Sequence, residues 1–278
     1  MPFRFIMVLL LVLVSAGANA QQLSDIDAYK ALCRAIEDNN QTKAIRLIED
    51  GVDVNYTPED EMPLIALCMK YRSIAIAKLL INNELDLGVD LDMDGIKVPL
   101  LFGAAALYTG SSDERTLAMI ELLLKKGANP NKQVDTLGIP ILPFLVVAYG
   151  EGQTEDWDVV RLLVKYGADV NIEMNSNEDP DLVGITSLHL ASYSYQDDAL
   201  ALVKYLVGKG ANVNHQSKVG VTALEVSLEV KNYHIAKYLL RKGANPKLTS
   251  DLEKSPHVKA IEGKYPKDIS KAIIKAAR

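Results

Sequence analysis

Three acidic residues at alternate positions, Asp90, Asp92 and Asp94, stand before Gly95 and are the best candidate for metal chemistry in this 278-residue chain. The spacing is that of the first half of a twelve-residue calcium-binding loop. The full loop needs a bidentate acidic side chain at its twelfth position, which here is Leu101. Because Asp-Gly is also an ordinary turn signal, we favour a hairpin turn over a calcium site.

The other residue types that commonly carry chemistry are scattered along the chain. The histidines are His189, His215, His234 and His257, and no two of them have metal-ligand spacing. The sequence contains no nucleophile elbow and no phosphate-binding glycine loop. It therefore predicts a protein that is not an enzyme and that holds no metal and no cofactor.

The first twenty residues form a segment of their own. Arg4 precedes an apolar run from Phe5 to Val14, and Ala18-Asn19-Ala20 fits a cleavage pattern. A ten-residue helix spans about 15 Å, roughly half of a bilayer core. We predict a signal peptide over 1–20, cleaved near Ala20, with no transmembrane segment in the mature chain. An uncleaved N-terminal anchor is the alternative.

A short phrase, Gly-Ala-Asx-x-Asn, recurs through the rest of the chain. Successive copies begin at Gly51, a degenerate Glu84, Gly127, Gly167, Gly210 and Gly243. The steps between them are 33, 43, 40, 43 and 33 residues. Each copy follows an amphipathic stretch such as 119–124, 159–164 or 235–240, so the glycine is placed to end a helix in the left-handed conformation.

A second helix is predicted before each amphipathic stretch, and its clearest start is Thr186-Ser187-Leu188-His189-Leu190-Ala191. This motif resembles the T-P-L-H-x-A signature of the ankyrin repeat, with Ser187 in the proline position. Looser copies start near Met62, Val98, Pro140 and Thr222. A threonine at such a start caps the helix, and proline suits its first turn.

The resemblance covers the whole mature chain and implies an all-α ankyrin-repeat solenoid, one domain over 21–278. We predict seven helix-turn-helix units with short hairpin loops, near 25–57, 58–92, 93–134, 135–175, 181–217, 218–250 and 251–278. The first and last depart most from the pattern, as capping repeats do.

Longer repeats carry their extra residues in polar, mostly acidic loops, at 109–116, 150–156, 173–183 and 195–198. Insertions in repeat proteins map to loops, often on a binding face, although drift of a tolerated surface explains them equally well. The acidic residues predicted to contact a partner are Asp92, Asp94, Asp135, Glu173, Asp179 and Asp181.

A tyrosine recurs at the end of four inner helices, as Tyr71, Tyr108, Tyr149 and Tyr195. Stacked repeats would align these rings into a ladder, and tyrosine is enriched in binding interfaces. The alternative, which we favour, is that each ring covers the end of its repeat core.

Charge is distributed unevenly. Residues 21–230 carry a net charge of −15, whereas residues 231–278 carry +8. The acidic body argues against nucleic acid as a ligand and suits a basic protein partner. The basic end is either a solvated helix face or a contact for anionic lipid.

The two cysteines, Cys33 and Cys68, fall in inner helices of adjacent repeats at different offsets from the helix starts. Packed helix axes lie about 8–10 Å apart, whereas a disulfide needs Cα atoms closer than about 7 Å. We predict two buried free thiols rather than a disulfide.

The resemblance implies a monomeric module that binds a protein partner on its concave face. With the predicted signal peptide, it points to an exported bacterial protein, located in the periplasm or secreted. Three roles stay open: a scaffold for envelope proteins, an immunity protein that blocks a periplasm-acting toxin, and an effector that binds host proteins.

Overall fold

Local sequence signals begin the inner helices. The Thr222 hydroxyl accepts a hydrogen bond from the Glu225 N–H at 3.2 Å, and the Glu225 carboxylate accepts one from the Thr222 N–H at 3.0 Å. This reciprocal capping box satisfies two N–H groups that a helix start leaves free. Ser255 caps the last inner helix, with Pro256 in its first turn, as the sequence predicts.

The computed structural model describes residues 25–59, 61–93, 95–109, 113–150, 157–176, 179–249 and 255–278. The predicted signal peptide lies outside these residues. The chain divides into two compact units, residues 1–91 and residues 92–278, which we call the N-terminal and C-terminal units.

Helices occur in seven successive pairs over the described residues, one inner and one outer helix in each pair. In the N-terminal unit they are α1 (25–37), α2 (Gln41–Glu49), α3 (Leu64–Lys70) and α4 (Ile74–Asn82). In the C-terminal unit they are α5 (Leu100–Thr109), α6 (Glu114–Lys125), α7 (Ile141–Gly150), α8 (Asp158–Lys165), α9 (Ser187–Tyr193), α10 (Ala199–Gly208), α11 (Ala223–Glu229), α12 (Tyr233–Arg241), α13 (Pro256–Ile261) and α14 (Lys267–Ala276). The described residues thus contain seven helix pairs, as the prediction of a helical repeat fold expects.

Two of the hairpins between repeats contain paired strands, where the sequence predicts short loops. Strands β1 (Asp90–Met93) and β2 (Ile96–Pro99) pair with each other, as do β3 (Gln133–Val134) and β4 (Ile139–Pro140). The second pair is antiparallel, with Gln133 opposite Pro140. The boundary between the two units falls within β1. The fold is thus the predicted helical repeat with minor strand content.

The predicted glycines end the outer helices. They all have positive φ angles between 90° and 97° and are Gly51, Gly127, Gly167, Gly210 and Gly243. In the degenerate copy Glu84 takes the same conformation, with φ 61°. A side chain in this region is strained, so this copy ends its helix less favourably than the others.

Each repeat buries its apolar residues against its neighbours. In the C-terminal unit α7 packs between α5 and α9, and α9 in turn packs on α11. Outer helices form a second layer, in which α6 contacts α8 and α12 contacts both α10 and α14. Fully buried leucine and isoleucine side chains fill the space between the layers, among them Leu100, Ile120, Leu123, Ile141 and Leu163.

In four of the repeats, one asparagine joins neighbouring hairpins. The Asn171 Nδ2 donates to the Gly210 carbonyl at 3.1 Å, and its Oδ1 accepts from the Asn212 N–H at 2.8 Å. Equivalent pairs of bonds are made by Asn55 with Glu84 and Asp86, by Asn131 with Gly167 and Asp169, and by Asn214 with Gly243 and Asn245. The corresponding residue is Gly88 in the second repeat and Lys247 in the sixth. We call these contacts the asparagine bridges.

Hairpin backbones also meet directly. A Cβ on Gly138 would lie 1.9 Å from the Asn175 carbonyl oxygen, and the Gly138 carbonyl accepts the Asn175 N–H at 2.8 Å. Only glycine leaves room for this approach, so the third and fourth hairpins of the chain lie in contact.

We expect Glu84→Gly to raise the free energy of unfolding by about 0.5–1 kcal/mol, because glycine adopts the left-handed conformation without steric strain. Urea denaturation followed by circular dichroism measures the change. The reverse control, Gly127→Ala, has open space around the new Cβ and tests backbone strain alone. It should destabilise by about 1 kcal/mol. A Glu84→Gly variant less stable than the parent would contradict the assignment.

Replacing Asn171 by alanine removes both bonds of one asparagine bridge. We expect a loss of about 1–3 kcal/mol in urea denaturation, because two backbone groups lose their partner. The control is Asn175→Ala, the same substitution at an exposed residue of the same hairpin, which should stay within about 0.5 kcal/mol of the parent. Equal effects of the two variants would show that the bridge does not stabilise the stack.

Candidate functional site

The inner helices of the C-terminal unit present a row of partly exposed apolar side chains. The two residues that α7 contributes, and the two that α9 contributes, are spaced three apart and therefore lie on one side of each helix. We define the inner face as the residues Ala106, Leu107, Phe144, Val147, Leu190, Tyr193 and Val226. Within this row Leu107 is 48% exposed and Tyr193 is also largely exposed.

Two helices of the inner face have no polar side at all. From Leu100 to Thr109 and from Ile141 to Gly150, no residue carries a charge. A helix that is apolar all round is normally enclosed on every side. Here the core covers most of the surface of each helix, and the side chains that remain accessible to solvent are apolar as well. The arrangement suits contact with another molecule better than contact with water.

The tyrosine ladder divides into surface and core residues. Tyr71 and Tyr195 are exposed, and the Tyr71 hydroxyl donates to the Glu37 carboxylate at 3.2 Å. Tyr108 and Tyr149 are buried, because their rings fill the ends of α5 and α7. Their rings cannot meet a partner, so for these two the alternative of a core role applies and we remove them from the predicted contact set.

An aromatic pair stands at the end of α9. The rings of Tyr193 and Tyr195 meet edge to face with centroids 5.6 Å apart, and Tyr195 is 69% exposed. Exposed aromatic pairs offer large contact area with a polar tip, as binding hot spots do. Tyr195 thus has a neighbour, Tyr193, that the ladder prediction did not include.

Most of the predicted acidic residues lie exposed on hairpins. Asp135 is in the turn between β3 and β4, and Glu173 pairs with Thr186 in an isolated bridge. Asp179 and Asp181 belong to a short 3-10 turn, in which the Asp179 carboxylate accepts the Asp181 N–H at 3.0 Å. These four side chains are available to a partner. Asp94 lies outside the described residues.

The calcium-loop alternative does not fit the geometry around Asp92. Its carboxylate accepts the Gly95 N–H at 2.8 Å and pairs with the Lys97 ammonium at 2.7 Å, which lowers the pKa of this exposed side chain. The position where the loop needs its last acidic ligand, Leu101, is buried inside α5. The segment is a β-hairpin followed by an inner helix.

The two best-placed histidines have structural roles. The His189 Nδ1 lies 3.0 Å from the Thr186 hydroxyl, and Nε2 lies 3.1 Å from the Val221 carbonyl. Burial lowers the pKa of His189 to about 4, so the ring is neutral near pH 7. His215 lies 3.0 Å from the Gly184 carbonyl and packs against the His189 ring. Both side chains join one repeat to the next.

Cys33 and Cys68 are free thiols of the N-terminal unit. Cys68 is buried in α3, and burial raises its pKa to about 12, whereas Cys33 is only partly buried. A thiol with so high a pKa is a poor nucleophile, so Cys68 is a packing residue.

Among the described residues, no group of three or more acidic, histidine or cysteine side chains is arranged to hold a metal ion. Within the same ranges, no helix has the length and apolar character required to cross a membrane.

Sequence reasoning missed the inner face. Its signal was present as the absence of charge from two consecutive inner helices, which contrasts with the charged face of α11, where Glu225 and Glu229 are not buried. Hydrophobic periodicity identifies the buried side of a helix only where polar residues mark the opposite side. These two helices have no charged residues, so their sequence does not distinguish buried positions from accessible ones.

Stacked pairs of inner and outer helices joined through hairpins define a helical repeat protein. Residues 144–250 match the family model for ankyrin repeats in three copies, so this part of the chain consists of ankyrin repeats. Modules of this family mediate protein–protein interactions and are generally non-enzymatic scaffolds.

Relatives come from viruses and animals. An ankyrin-repeat protein of Acanthamoeba polyphaga mimivirus is 40% identical over 92 residues, covering 32% of this chain and 52% of the relative. An ankyrin-repeat and KH-domain protein of Caenorhabditis elegans is 27% identical over 246 residues, covering 86% of this chain and 8% of the relative. The chain thus spans about half or less of the length of these two relatives.

The same fold is found among solved structures. The ankyrin-repeat domain of human ASB11 superposes with a TM-score of 0.57, covering 88% of this chain and 96% of that domain at 21% sequence identity. At this identity the likeness concerns the fold.

The buried neutral His189 predicts that stability falls on acidification. Its pKa is about 4 when folded and 6.5 in the reference state, so the unfolded chain binds more protons between these values. Stability is therefore present above pH 6.5 and is lost as the pH falls toward 4. From pH 7 to 5 we expect a loss on the order of 2 kcal/mol from this residue in urea denaturation.

The comparison of two variants isolates this contribution. His189→Gln should flatten the pH dependence, whereas His234→Gln, the same change at an exposed histidine of α12, should leave it as in the parent. An unchanged slope in His189→Gln would show that His189 is not the group responsible.

Proposed function

We propose that this chain is an exported, non-enzymatic module that holds a protein partner against the inner face and the adjoining hairpins. The observation that carries the proposal is the inner face itself, an apolar row that remains open on a fold whose family binds proteins. Burying such a row against a partner removes apolar surface from water, at about 25 cal/mol per Å².

The hairpins extend this surface. Exposed Asp135, Glu173, Asp179 and Asp181 lie in the hairpins that precede or follow α7 and α9. Their charge favours a basic partner and speeds its approach through long-range attraction. The apolar row would supply affinity and the acidic hairpins would orient the partner, so the two features together favour a basic protein.

Export is supported by the N-terminal pattern of Arg4, an apolar run and an Ala-x-Ala site. We propose the bacterial periplasm as the location, with secretion as the alternative. A periplasmic module with an acidic recognition surface suits the role of an immunity protein that neutralises a basic toxin entering that compartment. An effector acting on host proteins is the second candidate, favoured if the mature chain is released to the medium.

Crosslinking in intact cells tests the proposal. A C-terminally tagged chain is expressed, periplasm and medium are separated, and crosslinked proteins are identified by mass spectrometry. We expect one dominant partner in near-equal amount, and N-terminal sequencing of the recovered chain should begin near Gln21.

The control is Leu107→Lys, which places a charge in the inner face without changing a buried residue. It should reduce recovery of the partner at least tenfold while the level of the chain stays the same. Recovery of the partner at the parental level in this variant would overturn the placement of the site, and a chain retained in the cytoplasm would overturn export.

A further inference from the structure

The inner face is bounded along the row of helices. On one side of α9 the next inner helix, α11, carries the exposed Glu229 and the partly buried Glu225 beside Val226. The uncharged part of the face therefore covers α5, α7 and α9. Because packed helix axes lie about 8–10 Å apart, these three helices span roughly 20 Å. This length corresponds to about 13 residues of an α-helix at 1.5 Å per residue.

Acidic residues lie at both borders of this apolar strip. At the hairpin border are Asp135, Glu173, Asp179 and Asp181, which are all exposed. At the opposite border, where inner helices turn into outer ones, Asp113 caps α6, and exposed Asp197 and Asp198 follow the tyrosine pair. The hairpin border also holds Lys132 and Lys218. The described residues of the two borders together carry a net negative charge.

The backbone conformation of a partner segment that can bind the apolar strip follows from the groups that the strip exposes. Its surface consists of side chains on helices whose backbone groups are already bonded within each helix. It therefore offers no row of free N–H and C=O groups to an extended peptide, which binds by adding a strand. A helix satisfies its own backbone and needs only an apolar stripe to lie in such a place.

We infer that the inner face is a docking site for a basic amphipathic α-helix of about 13 residues in the partner. Its apolar stripe lies on Leu107, Val147 and Tyr193, and its lysine or arginine side chains reach the acidic residues at either border. The Tyr193–Tyr195 pair meets one end of the helix, where a cation can rest on an aromatic ring. This inference rests on the proposed function and names the partner's chemistry.

The probe is a fluorescent 14-residue peptide with leucine at positions 1, 4, 5, 8, 11 and 12 and lysine elsewhere. One reference peptide has the same composition in an order without a helical stripe, and a second replaces every lysine with glutamate. Anisotropy titration of the purified chain should give an affinity for the first peptide at least tenfold above that for either reference. The affinity should fall as the salt concentration rises from 50 to 300 mM, because salt screens the attraction between the lysines of the peptide and the acidic residues at the borders.

Two matched variants locate the bound peptide. Leu107→Lys should weaken binding at least tenfold. The control, Ile261→Lys, adds the same charge at an apolar side chain of α13 that is 65% exposed, and it should change binding less than twofold. Equal affinity for the reordered or glutamate peptide, or equal loss in both variants, would overturn the inference.

Failure of this inference is distinguishable from failure of the proposed function. Suppose that a partner is captured in cells and that its capture depends on Leu107, yet the basic helix binds no better than the reference peptides. The proposed binding function is then supported, and the segment that binds the inner face is not a basic helix. Sedimentation equilibrium provides a further check, in which the parent should be a monomer. A dimer that Leu107→Lys dissociates would mean that a second copy of the chain covers the inner face, and would overturn the assignment of a basic helix.

Discussion

The asparagine bridge is the interaction that fixes the register of neighbouring repeats at four junctions of the chain. A helix pair from this sequence cannot enclose its own apolar side, so it is stable only beside another pair in the right register. The bridge sets that register with two hydrogen bonds, one donated by the side-chain amide and one accepted by it, to backbone groups at the end of the next outer helix. An amide supplies both at once, which a carboxylate or hydroxyl at this point would not do in the same geometry.

Repeat length varies without disturbing this register. The copies of the glycine phrase are 33 to 43 residues apart, and the additional residues lie between the two helices of a repeat or at the far end of a hairpin. Neither place lies between a glycine and its bridging asparagine. Inner helices of the C-terminal unit therefore remain side by side, and the row of apolar side chains from Leu107 to Tyr193 is preserved although the neighbouring loops differ.

The sequence was sufficient to predict what depends on local chemistry. Helix ends at Thr222, Ser255 and the five glycines follow from caps and from left-handed backbone, both decided within a few residues. Whether Tyr108 and Tyr149 face solvent depends on how neighbouring helices close over them, which no local pattern contains. The strand pairing of β3 with β4 likewise depends on tertiary contact between hairpins, such as that of Gly138 with Asn175. The acidic residues were found because charge needs no packing to be recognised, whereas the apolar inner face looked like core.

The first, third, fourth and fifth repeats have a bridging asparagine, whereas the second has Gly88 and the sixth has Lys247 at this position, so the bridges do not reach the seventh repeat. In the described residues, the seventh repeat is held by packing of α14 on α12, by the His257 N–H bonded to the Pro246 carbonyl at 2.9 Å, and by the exposed pair of Lys237 with Asp268. In a linear array, the end with the weakest coupling opens first and can do so while the remaining repeats stay folded. We therefore expect the basic C-terminal repeat to unfold locally, with its amide hydrogens exchanging ahead of those in the acidic body. The electrostatic asymmetry of the chain would then coincide with an asymmetry in its motions.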